Sequence, residues 1–248
     1  MSGMGKLLDK LLRREKHLPE VCSAVVAAAG GSERMGGENK ILLPLEGIPV
    51  LARTLTALQS ASRVTEIVVA VREADLLIAA ELCRVYGITK PVKIVRGGAT
   101  RTESVLTAAL ECREDARIIA VHDGARPLAE PELIDRVIEL ALKTNAAAPA
   151  VMVKDTIKTV RDGAVESTLE RDALRAVQTP QAFDAQLLRA ALQSTVELGL
   201  SPTDDCAAVE RLGKEVLLTD GSYENIKITT PEDMAIAAAL LQRREGRL

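Results

Sequence analysis

The chain has almost no aromatic side chains. Tryptophan is absent from its 248 residues, and the only phenyl and phenol rings are Tyr86, Phe183 and Tyr223. Proteins that hold single-stranded nucleic acid stack bases on aromatic platforms, and three scattered rings cannot supply one. The net charge of −3, from 32 Lys and Arg against 35 Asp and Glu, gives no general attraction to nucleic acid or to an anionic membrane. Histidine is equally scarce. With only His17 and His122 there is no histidine metal cluster and no plausible Ser-His-Asp set. The four cysteines, Cys22, Cys83, Cys112 and Cys206, lie far apart without a Cys-x-x-Cys pair. They read as buried free thiols, which suits a reducing cytoplasm. No apolar run approaches the ~18 residues of a membrane span, and residues 1–20 lack the sustained apolar core of a signal peptide. A cytoplasmic protein without stable membrane association is expected.

What is present has the balance of a soluble globular protein, 47% hydrophobic and 27% charged. With aromatics missing, the core must be Ala, Val, Leu and Ile. Near the start, Leu7, Leu8, Leu11 and Leu12 form one stripe of a short basic amphipathic helix over 6–16. A peripheral membrane anchor and a docking extension are both open; the narrow stripe favours the extension. From Val21 the pattern alternates. It predicts strands over 21–26, 66–71, 92–95, 117–121 and 147–151. Between them it predicts helices over 50–60, 74–86, 102–112 and 131–143. Such alternation specifies a Rossmann-like α/β arrangement, a mostly parallel sheet with helices on both faces. Functional loops then gather at the carboxyl ends of the strands.

The rhythm breaks at Met152. Residues 153–160 and 164–169 alternate around Arg161-Asp162-Gly163, a turn that supplies positive φ cheaply, and so predict a β-hairpin. Projecting from an α/β sheet, this arm needs a surface to bury itself on, and a partner subunit is one. Helices follow over 186–198, 205–212 and 231–243, with strands over 216–218 and 226–228. No repeat, low-complexity stretch or linker interrupts the chain. The organisation expected is an N-terminal amphipathic extension over 1–20 and one domain over 21–248 carrying a β-arm at about 152–171.

Several loops carry chemistry-bearing residues. After the first strand comes Ala27-Ala28-Ala29-Gly30-Gly31-Ser32-Glu33-Arg34-Met35, running on to Lys40. Small residues let backbone N–H groups approach a ligand and cradle phosphate oxygens. Arg34 and Lys40 add a planar fork and a point charge. A polyphosphate site and an ordinary tight turn with two solvated cations are both compatible with this stretch alone. It is not a Walker A loop, because Gly31-Ser32-Glu33-Arg34-Met35-Gly36 is followed by Gly37, and it lacks the Gly-x-Gly-x-x-Gly fingerprint. Gly97-Gly98-Ala99-Thr100-Arg101-Thr102-Glu103-Ser104 precedes a helix that Thr100 or Thr102 can cap. His122-Asp123-Gly124-Ala125-Arg126-Pro127 puts a carboxylate at a strand end, suited to a metal or a hydroxyl-rich ligand, or to an ion pair holding a turn. Asp155-Thr156-Ile157-Lys158 and Glu170-Arg171-Asp172 flank the arm. Thr179-Pro180-Gln181, Thr203-Asp204-Asp205 and Glu224-Asn225-Ile226-Lys227 complete the set, and each has a structural reading as loop, helix cap or solvated charge.

The opening loop resembles that of the nucleotidyltransferases that activate small phosphates and sugars. Taken in order, all these blocks resemble the 2-C-methyl-D-erythritol 4-phosphate cytidylyltransferases, a family of isoprenoid-precursor enzymes. The likeness spans Cys22 to the C-terminus. It departs from the family pattern at Ser32 for a glycine, at Asn39 for the proline before the lysine, and at Ala99 for a frequent aspartate. The resemblance implies CTP and methylerythritol phosphate as substrates, Mg²⁺, and a homodimer with interlocked arms. Arg34 and Lys40 would hold the triphosphate and stabilise charge on the α-phosphate. Backbone around Ala28, Ala29, Gly30, Gly98 and Ala99, with the Ser104 hydroxyl, would read cytosine, and Arg101 would belong to this nucleotide side. Asp123 would meet the acceptor or the metal, with Lys227 beside it as a catalytic cation. Arg126, Thr156, Arg171, Thr179 and Thr203 would complete the acceptor site, some from the other subunit. The position of Glu224 leaves a second metal-site carboxylate open. A ribitol 5-phosphate cytidylyltransferase and a catalytically silent nucleotide-binding module are the alternatives.

Overall fold

The computed structural model of the chain describes residues 21–30 and 39–247. The expected N-terminal extension and Arg34 lie outside the described residues. In chain order the elements are β1 (Cys22–Ala28), β2 (Pro44–Leu45), β3 (Ile48–Pro49), α1 (Val50–Ser60), β4 (Val64–Val71), α2 (Leu76–Val85), β5 (Val92–Arg96), α3 (Arg101–Glu111), β6 (Ile118–Asp123) and α4 (Pro131–Thr144). Then follow β7 (Ala146–Met152), β8 (Lys158–Arg161), β9 (Ala164–Thr168), β10 (Arg175–Val177), β11 (Gln181–Asp184), α5 (Ala185–Glu197), α6 (Asp205–Glu210), β12 (Leu217–Asp220) and α7 (Pro231–Arg244).

The strands β6, β1, β4 and β5 run parallel, side by side in that order. Strands with both faces buried read as continuous apolar runs, and their residues divide between two cores. Ala24 and Val26 of β1, with Ile67 and Val69 of β4, face a core built with α1, α2, α4 and α7. Val25, Val68 and Ala70 face the other core, built with α3, α5 and α6. Helices therefore cover both faces, as the alternation predicts. Phe183 is the largest fully buried side chain; otherwise aliphatic residues fill both cores.

Beyond β6 the sheet departs from the expectation. β10 and β11 pair antiparallel with the two ends of β7, and β11 also pairs antiparallel with β6. They are two pieces of one interrupted strand, placed between β6 and β7. Pro180 falls in the interruption, and a residue without an N–H cannot donate to a ladder. This strand escapes a reading that takes Gln178-Thr179-Pro180-Gln181 as loop. β12 lies parallel to β7 on its other side. The strand expected over 226–228 is irregular chain instead; Ile228 N–H donates to Ala125 O, 2.8 Å, and its side chain is buried. Among the described residues the hairpin β8–β9 pairs only with itself and forms a sheet separate from the main one. Among the described residues no helix is long and apolar enough to cross a membrane.

Candidate active site

Parallel strands deliver their following loops to one edge. Here the loops after β1, β5 and β6 meet there, and small residues let them close on one another. Gly97 N–H donates to Val71 O, 2.8 Å, and Gly124 N–H donates to Ala27 O, 2.9 Å. A methyl group on Gly97 would stand 2.4 Å from Ala29 Cβ, and one on Gly124 would stand 3.0 Å from Ala28 Cβ. Gly97 and Gly124 are thus required by close contact with the loop that bears Ala28 and Ala29. They leave a cavity of about 280 Å³ whose wall includes Ala28, Ala29, Gly30, Lys40, Gly98, Ala99, Arg101, Ser104, Asp123 and Lys227. All described residues expected on the nucleotide side line this one space.

Helix α3 opens at one wall with a capping box. Thr100 Oγ1 accepts from Glu103 N–H at 3.1 Å, and Glu103 Oε2 accepts from Ala99 N–H at 2.7 Å and Thr100 N–H at 3.1 Å. These amides are therefore committed to Glu103. What the turn leaves facing the cavity is small side chains and Ser104, whose hydroxyl bonds Thr100 O at 2.8 Å.

Asp123 ends β6 as the centre of a cationic ring. Lys227 Nζ lies 3.0 Å and Arg126 Nε 3.2 Å from its Oδ2, and Arg101 Nη2 lies 3.6 Å from its Oδ1. Burial alone would raise the carboxyl pKa, but Lys227, Arg101 and Arg126 outweigh it and hold the group well below the usual carboxylate range. Asp123 N–H donates to Thr179 Oγ1, 3.0 Å. That hydroxyl is then free to donate to His122 Nδ1 at 2.9 Å, which leaves Nε2–H to face Arg126 O at 3.4 Å. His122 is a buried, neutral histidine that shapes the loop.

A second cavity of about 210 Å³ adjoins the first and shares Arg101, Asp123 and Lys227 with it. Arg126, Thr179, Gln181 and Thr203 are among its other walls, so three of the residues expected around the acceptor meet here. Thr156 and Arg171 do not line either cavity; both are exposed at the arm, and Arg171 Nη1 donates to Lys154 O at 3.2 Å.

Two residues of this centre, Gln181 and Asp205, stand within the sequence blocks singled out above, where they read only as loop and helix start. Asp205 is fully buried and takes the Arg101 fork bidentately, at 3.0 and 2.7 Å. Burial pushes its carboxyl pKa up against the pull of Arg101. Gln181 accepts from Asp205 and Cys206 N–H and donates to Asp204 Oδ2 at 2.8 Å. Asp204 itself caps α6 through Ala207 N–H, 2.9 Å, as the capping reading expects. A helix start disguises Asp205, because its partner lies over a hundred residues earlier.

Glu224 belongs to neither cavity. Arg243 and Arg244 of α7 hold its carboxylate. Among the described residues no cluster of three His, Cys, Asp or Glu could hold a metal. Asp123, the carboxylate common to both cavities, suits Mg²⁺ as a partner to substrate phosphates and water, the usual manner of Mg²⁺ in nucleotide sites. Its Oδ1 makes the longer, 3.6 Å contact with Arg101.

Two adjoining cavities that share one carboxylate and two cations, at the carboxyl edge of a parallel sheet, are the layout of a transferase that joins two phosphorylated small molecules. Comparison with known proteins narrows this. The family model for 2-C-methyl-D-erythritol 4-phosphate cytidylyltransferase matches residues 22–243. The chain belongs to that family. The cytidylyltransferase of this name from Bacillus cytotoxicus is 44% identical over 223 residues, covering 89% of this chain and 98% of the relative. That of Desulforamulus reducens is 45% identical, covering 89% and 96%. The crystal structure of 4-diphosphocytidyl-2C-methyl-D-erythritol synthase from Anaerococcus prevotii superposes with a TM-score of 0.82 at 31% identity, covering 90% of this chain and 97% of that one.

Proposed function

We propose that the chain transfers a cytidylyl group from CTP to 2-C-methyl-D-erythritol 4-phosphate, releasing pyrophosphate, in the cytoplasmic synthesis of isoprenoid precursors. The observation that carries this reading is the pair of cavities meeting at Asp123, Lys227 and Arg101, within a chain of this family. CTP occupies the larger cavity, with its base against Ala28, Ala29, Gly98, Ala99 and Ser104 and its triphosphate toward Lys40. The acceptor occupies the smaller one, beside Arg126, Thr179 and Thr203.

A phosphate monoester is already nucleophilic near neutral pH, so the reaction needs positioning and charge neutralisation more than a strong base. An acceptor phosphate oxygen attacks the α-phosphorus; a new P–O bond forms as the bond to the β-phosphate oxygen breaks, and pyrophosphate leaves. Lys227 stands where the two cavities join and holds both phosphates against their mutual repulsion. Lys40 offsets the charge that grows on the α-phosphate. The fork of Arg101 is occupied by Asp205, so it contributes positive charge more than free donors. Asp123, together with the substrate phosphates, would hold Mg²⁺, which would supply further charge neutralisation. Thr156 and Arg171 serve the acceptor site of the other subunit in a homodimer.

The test is pyrophosphate release by the purified protein with Mg²⁺, crossing CTP and other nucleotides with methylerythritol phosphate and ribitol 5-phosphate. Release confined to CTP with methylerythritol phosphate is expected, and Lys40→Ala lowers turnover by several orders. Release with ribitol 5-phosphate alone reassigns the acceptor. CTP binding without release under any pairing makes the chain a binding module.

A further inference from the structure

The residue before Lys40 is tied to a part of the chain that touches neither cavity. Asn39 Nδ2 donates to Asp75 Oδ2 at 2.9 Å. Asp75 closes the single 3-10 turn Glu73–Asp75 that follows β4, and it is only 4% exposed. Arg72 holds the same carboxylate in place, Nε to Oδ2 at 2.7 Å and Nη2 to Oδ1 at 3.3 Å. Asp75 is thus a fixed post at the carboxyl end of β4, next to the strand whose loop bears Lys40.

On its other side Lys40 is fixed by backbone. Leu42 N–H donates to Asn39 O, 2.9 Å, Leu43 N–H to Lys40 O, 3.4 Å, and Leu51 N–H to Ile41 O, 2.8 Å, while the Ile41 side chain enters the core. These bonds fix the turn from Asn39 onward. The Asn39–Asp75 bond adds a side-chain tether to this turn at the rim of the cavity. From this arrangement we infer that Asn39 and Asp75 are positioning residues that set where Lys40 meets the triphosphate. The inference rests on Lys40 serving as the α-phosphate cation. Displacing a catalytic group by as little as ~1 Å costs up to about a hundredfold in rate, so loss of one tether is felt in turnover even though a half-exposed hydrogen bond contributes little to folding.

The test compares Asn39→Ala, Asp75→Ala, the double variant and Asp75→Asn in the full chain by steady-state pyrophosphate release, with thermal melting alongside. The first three are expected to lose about tenfold in kcat with little change in KM for CTP, and the double variant to lose no more than Asp75→Ala. Asp75→Asn keeps an acceptor oxygen and regains most of the rate. In a Lys40→Ala background, read at high enzyme concentration, Asn39→Ala adds no further loss. An unchanged kcat in Asn39→Ala, a loss that tracks a fall in melting temperature, or a loss that persists without Lys40 would each overturn the tether. Lys40→Ala with near-normal turnover would instead remove the role of Lys40, and the tether with it.

Discussion

His122 illustrates how little of this site's chemistry depends on acid–base catalysis. Thr179 spends its acceptor capacity on Asp123 N–H and its proton on His122 Nδ1. The ring is fully buried with Arg126 nearby. Burial lowers its pKa to about 4, although Asp123 pulls upward. The sign of the consequence follows from linkage. Between its unfolded value near 6.5 and about 4, the unfolded chain binds a proton at this histidine that the folded chain refuses. The contribution is therefore complete above pH 6.5 and is lost as pH falls through that window, by roughly 3 kcal/mol at most. Asp123, held charged by its cations, does not titrate there. Urea denaturation at pH 7, 6, 5 and 4.5 should show wild-type stability falling more steeply than that of His122→Gln. Parallel curves would mean the histidine is hydrated or charged in the folded protein.

At the scale of elements, the site depends on loops packed too closely for any side chain beyond alanine. Gly97→Ala forces a methyl to within 2.4 Å of Ala29 Cβ and 2.7 Å of Ser104 Oγ, so the β1 loop or the start of α3 must move. Overpacking of this kind costs about 1–3 kcal/mol, and here the displaced atoms are the wall of the larger cavity. The variant should stay folded while kcat/KM for CTP falls by at least about tenfold. An unchanged kcat/KM would show that the loops are slack. The small-residue loop was legible in the sequence as a local pattern, a strand followed by alanines and glycines, although the contacts that keep Ala28 and Ala29 small come from remote loops. Helices such as Val50–Ser60 were legible for the same reason, their apolar stripe being a property of one segment. The interrupted strand β10–β11 was not. Each piece is only three or four residues long and Pro180 stands between them, so it exists through pairing with β6 and β7. The ion pairs of Asp205 and Glu224 escape the sequence for the matching reason. Their partners, Arg101 and the arginines of α7, come from remote parts of the chain.

At the scale of the whole molecule, the arm is the part that the single chain leaves unexplained. An isolated two-stranded hairpin is marginal in water, yet among the described residues β8 and β9 pair with no other strand, and Val160 and Val165 are 60% and 62% exposed. Thr156 and Arg171 sit at its ends, away from both cavities of their own chain. If a homodimer exchanges these arms, each site combines Lys227 from one subunit with Arg171 from the other, and two inactive variants can rescue each other. Lys227→Ala and Arg171→Ala would each be nearly inactive alone. In a mixed dimer, one site carries both lesions and the other carries neither. Random exchange makes half the dimers mixed, so an equimolar mixture should regain about a quarter of the wild-type rate. The rate should rise on the timescale of subunit exchange, and sedimentation equilibrium should show a dimer. A chain that uses its own arm, or that works as a monomer, has no such intact site to assemble, and its mixture would stay as inactive as its parts.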